Sequence, residues 1–341
     1  MTAIEISILN RDQIKQILEL DQVIQSVEAV YQLKSQGKTE VWPHVAYDFI
    51  PEEGVMDIKS GYVKEWQLHG LKMLNSFPHN AEKGLPTFNG MMLVFDSNTG
   101  IPLGVMDASY ITCMRTGAAG AIGAKMLARE DSQKLLILGV GTQAIYQLAA
   151  TLRLMPQIDT VRIASPRNKE KAVQFVLNVS QRLQEEFGIE VSETLQFEVV
   201  ENLQEAVEDS DIIITITRSK SPIIKKEWVK KGTHLSCVGA DMKGKQEIDA
   251  ELFKGARIFT DDLHQCIHVG ELEIPIKQGI VTESDIAGEI GSVIEGKVVG
   301  RTSDEEITIY DTTGIALLDI ITAKAALDLA KKKGIGTLIE I

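Results

Sequence analysis

Apolar positions along the chain change their spacing twice. Between residues 11 and 36 they recur at the three- and four-residue intervals of an amphipathic helix. From 41 to 110, short alternating runs separated by glycines and prolines predict a mostly antiparallel sheet. Within it, MMLVFDSNTGIPLGVMDA (91–108) places an Asp-Ser-Asn-Thr-Gly turn between two apolar runs and predicts a β-hairpin. The alanine-rich segment 112–128 then predicts a helix, with Thr112 as a candidate N-cap.

From residue 134 onward, short apolar strands alternate with helical segments. Such alternation is typical of a parallel sheet covered by helices on both faces. We therefore predict an α/β protein with a Rossmann-type doubly wound domain over 131–314 and an α+β domain that joins 1–130 to the C-terminal helix in 315–341. The predicted strands are 135–138, 160–165, 197–200, 211–217, 233–240, 256–262 and 306–312, and the helices are 143–155, 168–187, 202–209 and 315–332.

The turn after the first of these strands reads Gly-Val-Gly-Thr-Gln-Ala. It matches G-x-G-x-x-A, in which the first glycine permits a tight turn and the second lets the backbone approach a pyrophosphate. The preceding strand and the following helix supply the context that the motif needs, with the phosphates at the positive end of the helix. Gly139, Gly141, Thr142 and Gln143 are therefore predicted to bind a dinucleotide; the alternative is a structural loop of an α/β domain.

The residues after the second strand bear on the choice of cofactor. An NAD-binding chain usually carries Asp or Glu there for the ribose 2′-hydroxyl, whereas this chain has Ala-Ser-Pro-Arg-Asn. The hydroxyl of Ser165 and the guanidinium of Arg167 suit a 2′-phosphate better. We predict NADP(H) as the favoured cofactor and NAD(H) as the alternative, in which Arg167 faces solvent and both cofactors are tolerated.

Several charged residues stand where a substrate could bind. Lys72 lies between apolar neighbours in a predicted strand, and a buried lysine can bind a carboxylate or donate a proton; Lys59 has a similar setting. Arg115 precedes small residues and suits bidentate carboxylate binding, an interface salt bridge being the alternative. Asp241 follows the fifth strand and could handle protons beside a nicotinamide or cap the next turn. His44 fits a pocket or a core equally well.

Composition narrows the class of protein. The chain has 341 residues and a net charge of −13, which argues against nucleic acid as a partner. Its three cysteines form no CxxC pair, which predicts no disulfide framework and a cytoplasmic location. We expect no signal peptide and no membrane-spanning helix. His264 and His268 lack an accompanying HExxH, so no metal site is predicted.

Seven segments, in order and spacing, resemble the ornithine cyclodeaminase/mu-crystallin family, which includes alanine dehydrogenases and ketimine or imine reductases: GLKMLNSFPHN, DSNTGIPLGVMDASYITCMRTGAA, LLILGVGTQA, VGADMKGKQEIDAELF, HVGEL, EIGSVIEGKVVGR and DTTGIALLDIITAKAA. The resemblance covers nearly the whole chain. It implies that Lys72 and Arg115 hold the substrate α-carboxylate, that Asp241 and Lys72 are catalytic, and that Gly314 lies near the nicotinamide. It also implies a homodimer formed through the first, substrate-binding domain. The predicted cofactor-binding set further includes Thr116, Thr217 and Val238.

Two positions depart from the cyclodeaminase pattern. Trp42-Pro43-His44 stands where those enzymes carry Pro-x-Arg, and Lys59 aligns with a glutamate on the strand before the lysine. A cation in place of an anion disfavours a diamine substrate, because like charges repel in a pocket of low dielectric constant. Lys59 and His44 are therefore predicted to face a neutral or acidic substrate side chain.

These observations predict an NAD(P)-dependent oxidoreductase that acts on the Cα–N bond of a small amino acid, as an amino acid dehydrogenase or an imino acid or ketimine reductase. The first alternative is an ornithine-type cyclodeaminase, which couples oxidation, cyclisation and re-reduction with no net redox change. The second is a non-enzymatic protein that binds NADPH or another ligand. No membrane or nucleic acid partner is expected.

Overall fold

A computed structural model describes residues 3–51 and 53–341. They form two compact units. The discontinuous unit comprises the residues up to Arg115 together with Ile315–Ile341, and the central unit comprises Thr116–Gly314. The first boundary falls inside the helix Ala108–Leu127, whereas the boundary expected from the sequence at 130 lies after that helix.

The helices and strands are numbered in chain order. The helices are α1 Arg11–Ile17, α2 Leu20–Ser35, α3 Ala108–Leu127, α4 Ala144–Leu154, α5 Lys169–Phe187, α6 Leu203–Asp209, α7 Leu263–Val269, α8 Glu273–Lys277, α9 Ile290–Ile294 and α10 Ala316–Lys333. The strands are β1 Glu5–Leu9, β2 Thr39–Val41, β3 Val45–Phe49, β4 Gly54–Val63, β5 Leu68–Ser76, β6 Phe88–Asp96, β7 Pro102–Asp107, β8 Lys134–Leu138, β9 Thr160–Ala164, β10 Gln196–Val199, β11 Ile212–Thr215, β12 Lys220–Ile224, β13 His234–Cys237, β14 Gln246–Ile248, β15 Arg257–Thr260, β16 Ile286–Glu289, β17 Thr308–Asp311 and β18 Thr337–Glu340.

The discontinuous unit is built on one mixed sheet. Its strand order is β18-β1-β7-β6-β5-β4-β2, and β3 pairs with β4. Apart from the parallel pair β1–β7, the described strands of this sheet pair antiparallel. The antiparallel sheet and the hairpin predicted from the sequence are therefore confirmed. In the β6–β7 turn, Asp96 Oδ1 accepts hydrogen bonds from the backbone N–H groups of Asn98 and Thr99 at 2.9 and 2.8 Å.

The helices of this unit begin and end differently from the sequence pattern. The helical spacing over 11–36 belongs to two helices, because Leu18 and Glu19 adopt extended backbone between α1 and α2. Thr112 is not an N-cap, since α3 already begins at Ala108 and the Thr112 hydroxyl donates back to the Ala108 carbonyl at 2.7 Å. The side chain of Asp107 instead accepts from the first backbone N–H groups of the helix.

One face of the mixed sheet lies under the C-terminal helix. Helix α10 packs on β4, β5 and β6 and on α2. Two glycines, Gly61 in β4 and Gly70 in β5, are paired across the strands beneath it. A Cβ atom at Gly61 would lie 3.0 Å from Leu317, and one at Gly70 would lie 3.3 Å from Ile320. The absence of side chains at this pair lets α10 lie close to the sheet.

The central unit contains the doubly wound sheet. Its order is β10-β9-β8-β11-β13-β17-β15-β16, and every described pair is parallel. The predicted α/β class is confirmed. Ile212, Ile213 and Ile214 of β11 are fully buried, as expected for a strand covered on both faces. The sequence analysis missed the edge strand β16 and the small parallel pair β12–β14.

Candidate active site

Two lysines lie opposite each other on the face of the mixed sheet that α10 covers. Lys59 of β4 pairs in register with Lys72 of β5, two residues along from the Gly61–Gly70 pair and on the same face. Lys59 is 8% exposed and Lys72 is 1% exposed. Buried ammonium groups need compensating charges, so the structure must supply carboxylates nearby.

Asp319 of α10 supplies one of them. Its Oδ2 accepts a hydrogen bond from Lys72 Nζ at 2.8 Å, and its Oδ1 accepts one from Arg115 Nε at 2.9 Å. The Asp319 side chain is 0% exposed. One carboxylate therefore joins two of the predicted substrate-binding cations. The sequence analysis did not single out Asp319, although an acid inside an apolar helix is a signal that a buried partner exists.

The pKa values of this group follow from burial and from the neighbouring charges. Burial, followed by the positive charge of Arg115, lowers the pKa of Lys72 to about 8, while Asp319 acts in the opposite direction. Burial acts to raise the pKa of Asp319, but the charges of Arg115 and Lys72 together outweigh it and hold that pKa below its usual value. Asp319 is therefore ionised at neutral pH, and Lys72 titrates close to neutrality.

His44 belongs to a second charged pair. It precedes β3, and its Nε2 contacts Oδ1 of Asp57 in β4, with the two side chains 30% and 26% exposed. Burial acts to raise the pKa of Asp57, but the hydrogen bond from His44 and the charges of Lys59 and Lys72 lower it. The sequence analysis also missed Asp57, which introduces a negative charge beside the predicted position of the substrate side chain.

This arrangement can bind a carboxylate. Arg115 contacts Asp319 through Nε rather than through its terminal nitrogens, which are the atoms that grip a carboxylate in bidentate fashion. Lys72 has three N–H donors and directs one of them to Asp319. The structure thus brings Lys59, Lys72 and Arg115 together as the sequence analysis expected.

In the central unit, the glycine turn joins β8 to α4. Gly139 has φ = 117°, which a residue with a side chain rarely adopts, and a Cβ there would lie 2.9 Å from the Ile216 oxygen. A Cβ at Gly141 would meet no protein atom within 4 Å. Helix α4 begins at Ala144, so its positive end lies directly after the turn. These features fit the close approach of a pyrophosphate.

The other predicted cofactor-binding residues are distributed around the same sheet. Thr142 is exposed and Gln143 half-buried before α4, and Ser165 is half-buried and Arg167 exposed after β9. The carbonyl of Thr116 in α3 accepts from Gln147 Nε2 at 2.8 Å. Most members of the set follow the carboxyl ends of parallel strands, the edge at which α/β sheets bind ligands.

Further along that edge, backbone groups are held by buried acids. Glu247 accepts from the N–H groups of Thr217 at 2.5 Å and Gly239 at 3.0 Å. Asp261 Oδ2 accepts from the N–H of Gly314 at 2.7 Å. Glu247 and Asp261 thus bind the backbone that follows β11, β13 and β17. Val238 continues the ladder of β13, its N–H donating to the Thr215 carbonyl at 2.9 Å.

Asp241 lies in the loop after β13. Its side chain is 48% exposed, and Lys245 Nζ donates to its Oδ1. The same ammonium donates to the Gly239 carbonyl at 3.2 Å. Lys245 thus fixes both the carboxylate of Asp241 and the backbone two residues before it, and the sequence analysis missed this contact.

Comparison with known proteins agrees with the fold. The sequence pattern of the ornithine cyclodeaminase/mu-crystallin family matches residues 5–334. The chain belongs to that family. Its fold class, its family and the predicted class of activity, an NAD(P)-dependent oxidoreductase of small amino or imino acids, are confirmed by the matches below.

Three relatives illustrate the likeness. The alanine dehydrogenase of Archaeoglobus fulgidus is 39% identical over 338 residues, which is 98% of each chain. The structure of an archaeal alanine dehydrogenase dimer with bound NAD has a TM-score of 0.89 at 38% identity, over 98% of this chain and 99% of that one. The Thermococcus litoralis Δ1-pyrroline-2-carboxylate reductase, in complex with NADH and L-proline, has a TM-score of 0.89 at 31% identity, over 97% and 99%.

Within residues 3–51 and 53–341, no cluster of three His, Cys, Asp or Glu side chains is arranged to hold a metal ion. No helix of those same ranges is long and apolar enough to cross a bilayer.

A cluster of buried acids with raised pKa values lies in the central unit. Glu247, Glu271 and Asp311 are all buried, and burial is the main cause that raises the pKa of each. The pKa of Asp311 is raised to about 8, with the charge of Asp261 adding to the effect of burial. Asp311 Oδ2 accepts from the Leu272 N–H at 3.0 Å. Asp311 is therefore neutral in the folded protein at pH 7 but ionised in the unfolded chain.

The substitution Asp311→Asn tests this protonation state. At any pH between the pKa of Asp311 in the unfolded chain and its pKa of about 8 in the folded protein, folding takes up one proton at this residue. The contribution of Asp311 to the free energy of unfolding therefore falls as pH rises through this window, by about 1.4 kcal/mol per pH unit. Asparagine copies the neutral acid at every pH. We expect the variant to gain stability over the wild type between pH 5 and pH 8, measured by denaturant unfolding.

Asp304→Asn, at an exposed position of the same unit, is the control. It should leave the pH dependence of unfolding unchanged. Parallel curves for wild type and Asp311→Asn would mean that Asp311 is ionised in the folded state, contrary to this assignment.

Proposed function

We propose that this family member interconverts a small amino acid with a neutral side chain and the corresponding imino acid, using a nicotinamide dinucleotide. The observation that carries the proposal is the buried pair Lys72 and Arg115, joined by Asp319 in the discontinuous unit. The glycine turn of the central unit supports a dinucleotide-binding role for that unit. Bound nicotinamide supplies the acceptor or donor of the hydride at the substrate Cα.

In this proposal the protein binds and orients the substrate through the substrate carboxylate. Arg115 binds it through its terminal N–H groups, since its Nε is occupied by Asp319, and Lys72 adds a second charged donor. Two fixed donors on one carboxylate orient Cα, an effect that can remove several kcal/mol of barrier. Because the pKa of Lys72 lies at about 8, its ammonium can also exchange a proton near neutral pH. Asp241 is the second proposed proton-handling group.

Charge balance favours a neutral substrate side chain. Apart from His44, the group holds three positive charges, on Lys59, Lys72 and Arg115, and two negative ones, on Asp57 and Asp319. One substrate carboxylate brings the sum to zero. A second carboxylate or an ammonium on the side chain would leave an uncompensated charge at low exposure. Alanine and proline, named with the relatives above, both have neutral side chains.

Turnover by wild type, Lys72→Met and Arg115→Met tests the activity. We expect the wild type to oxidise reduced cofactor with neutral 2-oxo acids plus ammonia or with cyclic imino acids, and to act less well on acidic and cationic analogues. Each variant should lose on the order of 10- to 100-fold in kcat/KM, the cost of one charged hydrogen bond, while cofactor affinity measured by calorimetry stays unchanged. Lys64→Met, at a lysine exposed on the same unit, is the matched control.

Other results would select another function. Release of ammonia from a diamino acid on catalytic cofactor would identify a cyclodeaminase. Cofactor binding without turnover of any imino acid, 2-oxo acid or amino acid would favour a binding protein. Equal loss of cofactor affinity in Lys72→Met and Arg115→Met would contradict their assignment to the substrate.

For the cofactor, we propose that Ser165 and Arg167 receive a 2′-phosphate and favour NADPH. Support comes from the exposed guanidinium after β9 and from the absence of an acid at residues 164–168. The relatives in the solved structures above hold NAD and NADH. The preference for NADPH therefore rests on these side chains alone.

Arg167→Ala separates the two cofactors. Loss of a charged contact to phosphate should raise the Kd of NADPH about tenfold or more and change that of NADH less than about twofold. Fluorescence titration measures both constants. Arg182→Ala, at a surface arginine of α5, serves as the control and should change neither. Equal weakening of NADH and NADPH, or a wild type that prefers NADH, would remove the proposed role.

We also propose a homodimer formed through the face of the mixed sheet opposite α10. That face carries a continuous set of apolar side chains that are exposed or half-buried: Ile58, Leu71, Met73, Met91, Leu93 and Val105. An exposed apolar face of this extent is typical of an interaction surface. The archaeal alanine dehydrogenase above is described as a dimer.

Met91→Glu tests this interface. Met91 is 54% exposed within this face, and a buried unpaired carboxylate on both partners should dissociate the dimer. Light scattering after size exclusion should give the mass of one chain for the variant and of two for the wild type. Leu177→Glu, at an exposed leucine of α5, should remain dimeric. A Met91→Glu variant that keeps the wild-type mass would exclude this face.

The proposed compartment is the cytoplasm. Cys113, Cys237 and Cys266 are all buried free thiols. Unpaired cysteines are ordinary in a reducing compartment.

A further inference from the structure

We propose that Asp319 is a positioning residue of the reaction, which holds Lys72 and Arg115 at a fixed spacing so that both can bind one substrate carboxylate. This inference rests on the proposed function. It adds a residue from the C-terminal helix to a group of carboxylate-binding cations, Lys59, Lys72 and Arg115, that all precede residue 116. Its role is indirect, since both oxygens of Asp319 are directed at protein cations rather than at a ligand.

The fold brings Asp319 to the lysine pair through a short sequence of contacts. Gly61 and Gly70 are paired across β4 and β5, and α10 lies against them through Leu317 and Ile320. Asp319 stands between these two contact residues in the helix. The next pair on the same face of the two strands is Lys59 with Lys72. The glycine pair therefore lets α10 lie close enough to the sheet for Asp319 to contact Lys72.

The two hydrogen bonds are directional. Lys72 Nζ approaches Oδ2 at 2.8 Å, and Arg115 Nε approaches Oδ1 at 2.9 Å. Because the two oxygens belong to one rigid carboxylate, the two hydrogen bonds restrict the separation of the ammonium and the guanidinium. The guanidinium carries five N–H donors, and with the donor on Nε directed at Asp319, the end edge formed by its two terminal nitrogens can bind a second carboxylate. Asp319 thus orients the atoms that remain to bind substrate.

Asp319 also determines how Lys72 is charged. Burial and the charge of Arg115 both favour the neutral amine, and the carboxylate of Asp319 is the principal group that opposes them. A neutral lysine would attract a carboxylate far less than an ammonium does. The charged and titratable groups that act on Lys72 from the surrounding elements are Asp57 and Lys59 of β4, Cys113 and Arg115 of α3, and Asp319 of α10.

A structural tie alone would behave differently. Replacement of a buried ion pair by apolar residues of similar size is often neutral for stability. Attachment of α10 to the sheet therefore does not by itself require a carboxylate. A fastening role would change the free energy of unfolding without changing how activity depends on pH. The pH profile therefore separates the positioning role from the structural one.

The test is Asp319→Asn, which keeps the shape of the side chain and removes its charge. At pH 8 we expect KM for the carboxylate substrate to rise at least about tenfold, the loss associated with one charged hydrogen bond, with cofactor affinity unchanged. We further expect kcat/KM to fall with rising pH at a lower pH than in the wild type, since Lys72 loses its proton earlier. Asp328→Asn, at an exposed aspartate of the same helix, is the matched control and should change neither.

A second variant covers the case in which Asp319→Asn does not fold. Asp319→Glu keeps the charge but displaces it, so that KM should rise while the alkaline limit of kcat/KM stays near that of the wild type. An unchanged KM and pH profile in a folded Asp319→Asn or Asp319→Glu variant would overturn the inference. A wild type that binds cofactor but turns over no substrate would instead refute the proposed function, because the comparison of variants requires wild-type activity.

Discussion

The discontinuous unit depends on the need to neutralise cations that its own sheet buries. Lys59 and Lys72 face the same covered side of β4 and β5, and Arg115 joins them from α3. Positive charges at such low exposure are tolerated only beside carboxylates or after loss of a proton. Asp319, at 0% exposure, meets two of the three at once. The contact of Asp319 with Lys72 and Arg115 therefore both holds α10 on the sheet and neutralises these buried cations.

That constraint explains why the sequence indicates the glycine turn but not the contacts of Asp319. The glycine turn is local, because β8, the turn and α4 follow one another in the chain. The neighbouring residues therefore indicate why the backbone requires glycine at each position. Asp319 is separated from Lys72 by 247 residues and from Arg115 by 204. The pattern of the helix indicates only that an acid is buried there. The pairing of Gly61 with Gly70 and the packing of α10 on that pair determine which cations Asp319 contacts.

The same distinction applies to the fold. Strands such as β8, β9 and β11 were predictable because their apolar runs are continuous and bounded by polar turns. The edge strand β16 was missed because its four residues, Ile-Ala-Gly-Glu, carry neither a continuous apolar run nor a clear alternation, and only its parallel pairing with β15 makes it a strand. Thr112 was misassigned since a threonine inside a helix can bond the carbonyl four residues before it, as it does here to Ala108.

In the function proposed above, substrate selection depends on the sum of charges rather than on any single side chain. Lys59 alone, in place of a glutamate, favours either a neutral or an acidic substrate. Asp57 changes that conclusion, because the hydrogen bond from His44 and the charges of Lys59 and Lys72 keep its carboxyl ionised. Asp57 thus supplies a counter-charge on the strand pair itself, and one bound substrate carboxylate would bring the charges of Lys59, Lys72, Arg115, Asp57 and Asp319 to a sum of zero. A neutral side chain is then the one whose binding leaves no buried charge unbalanced.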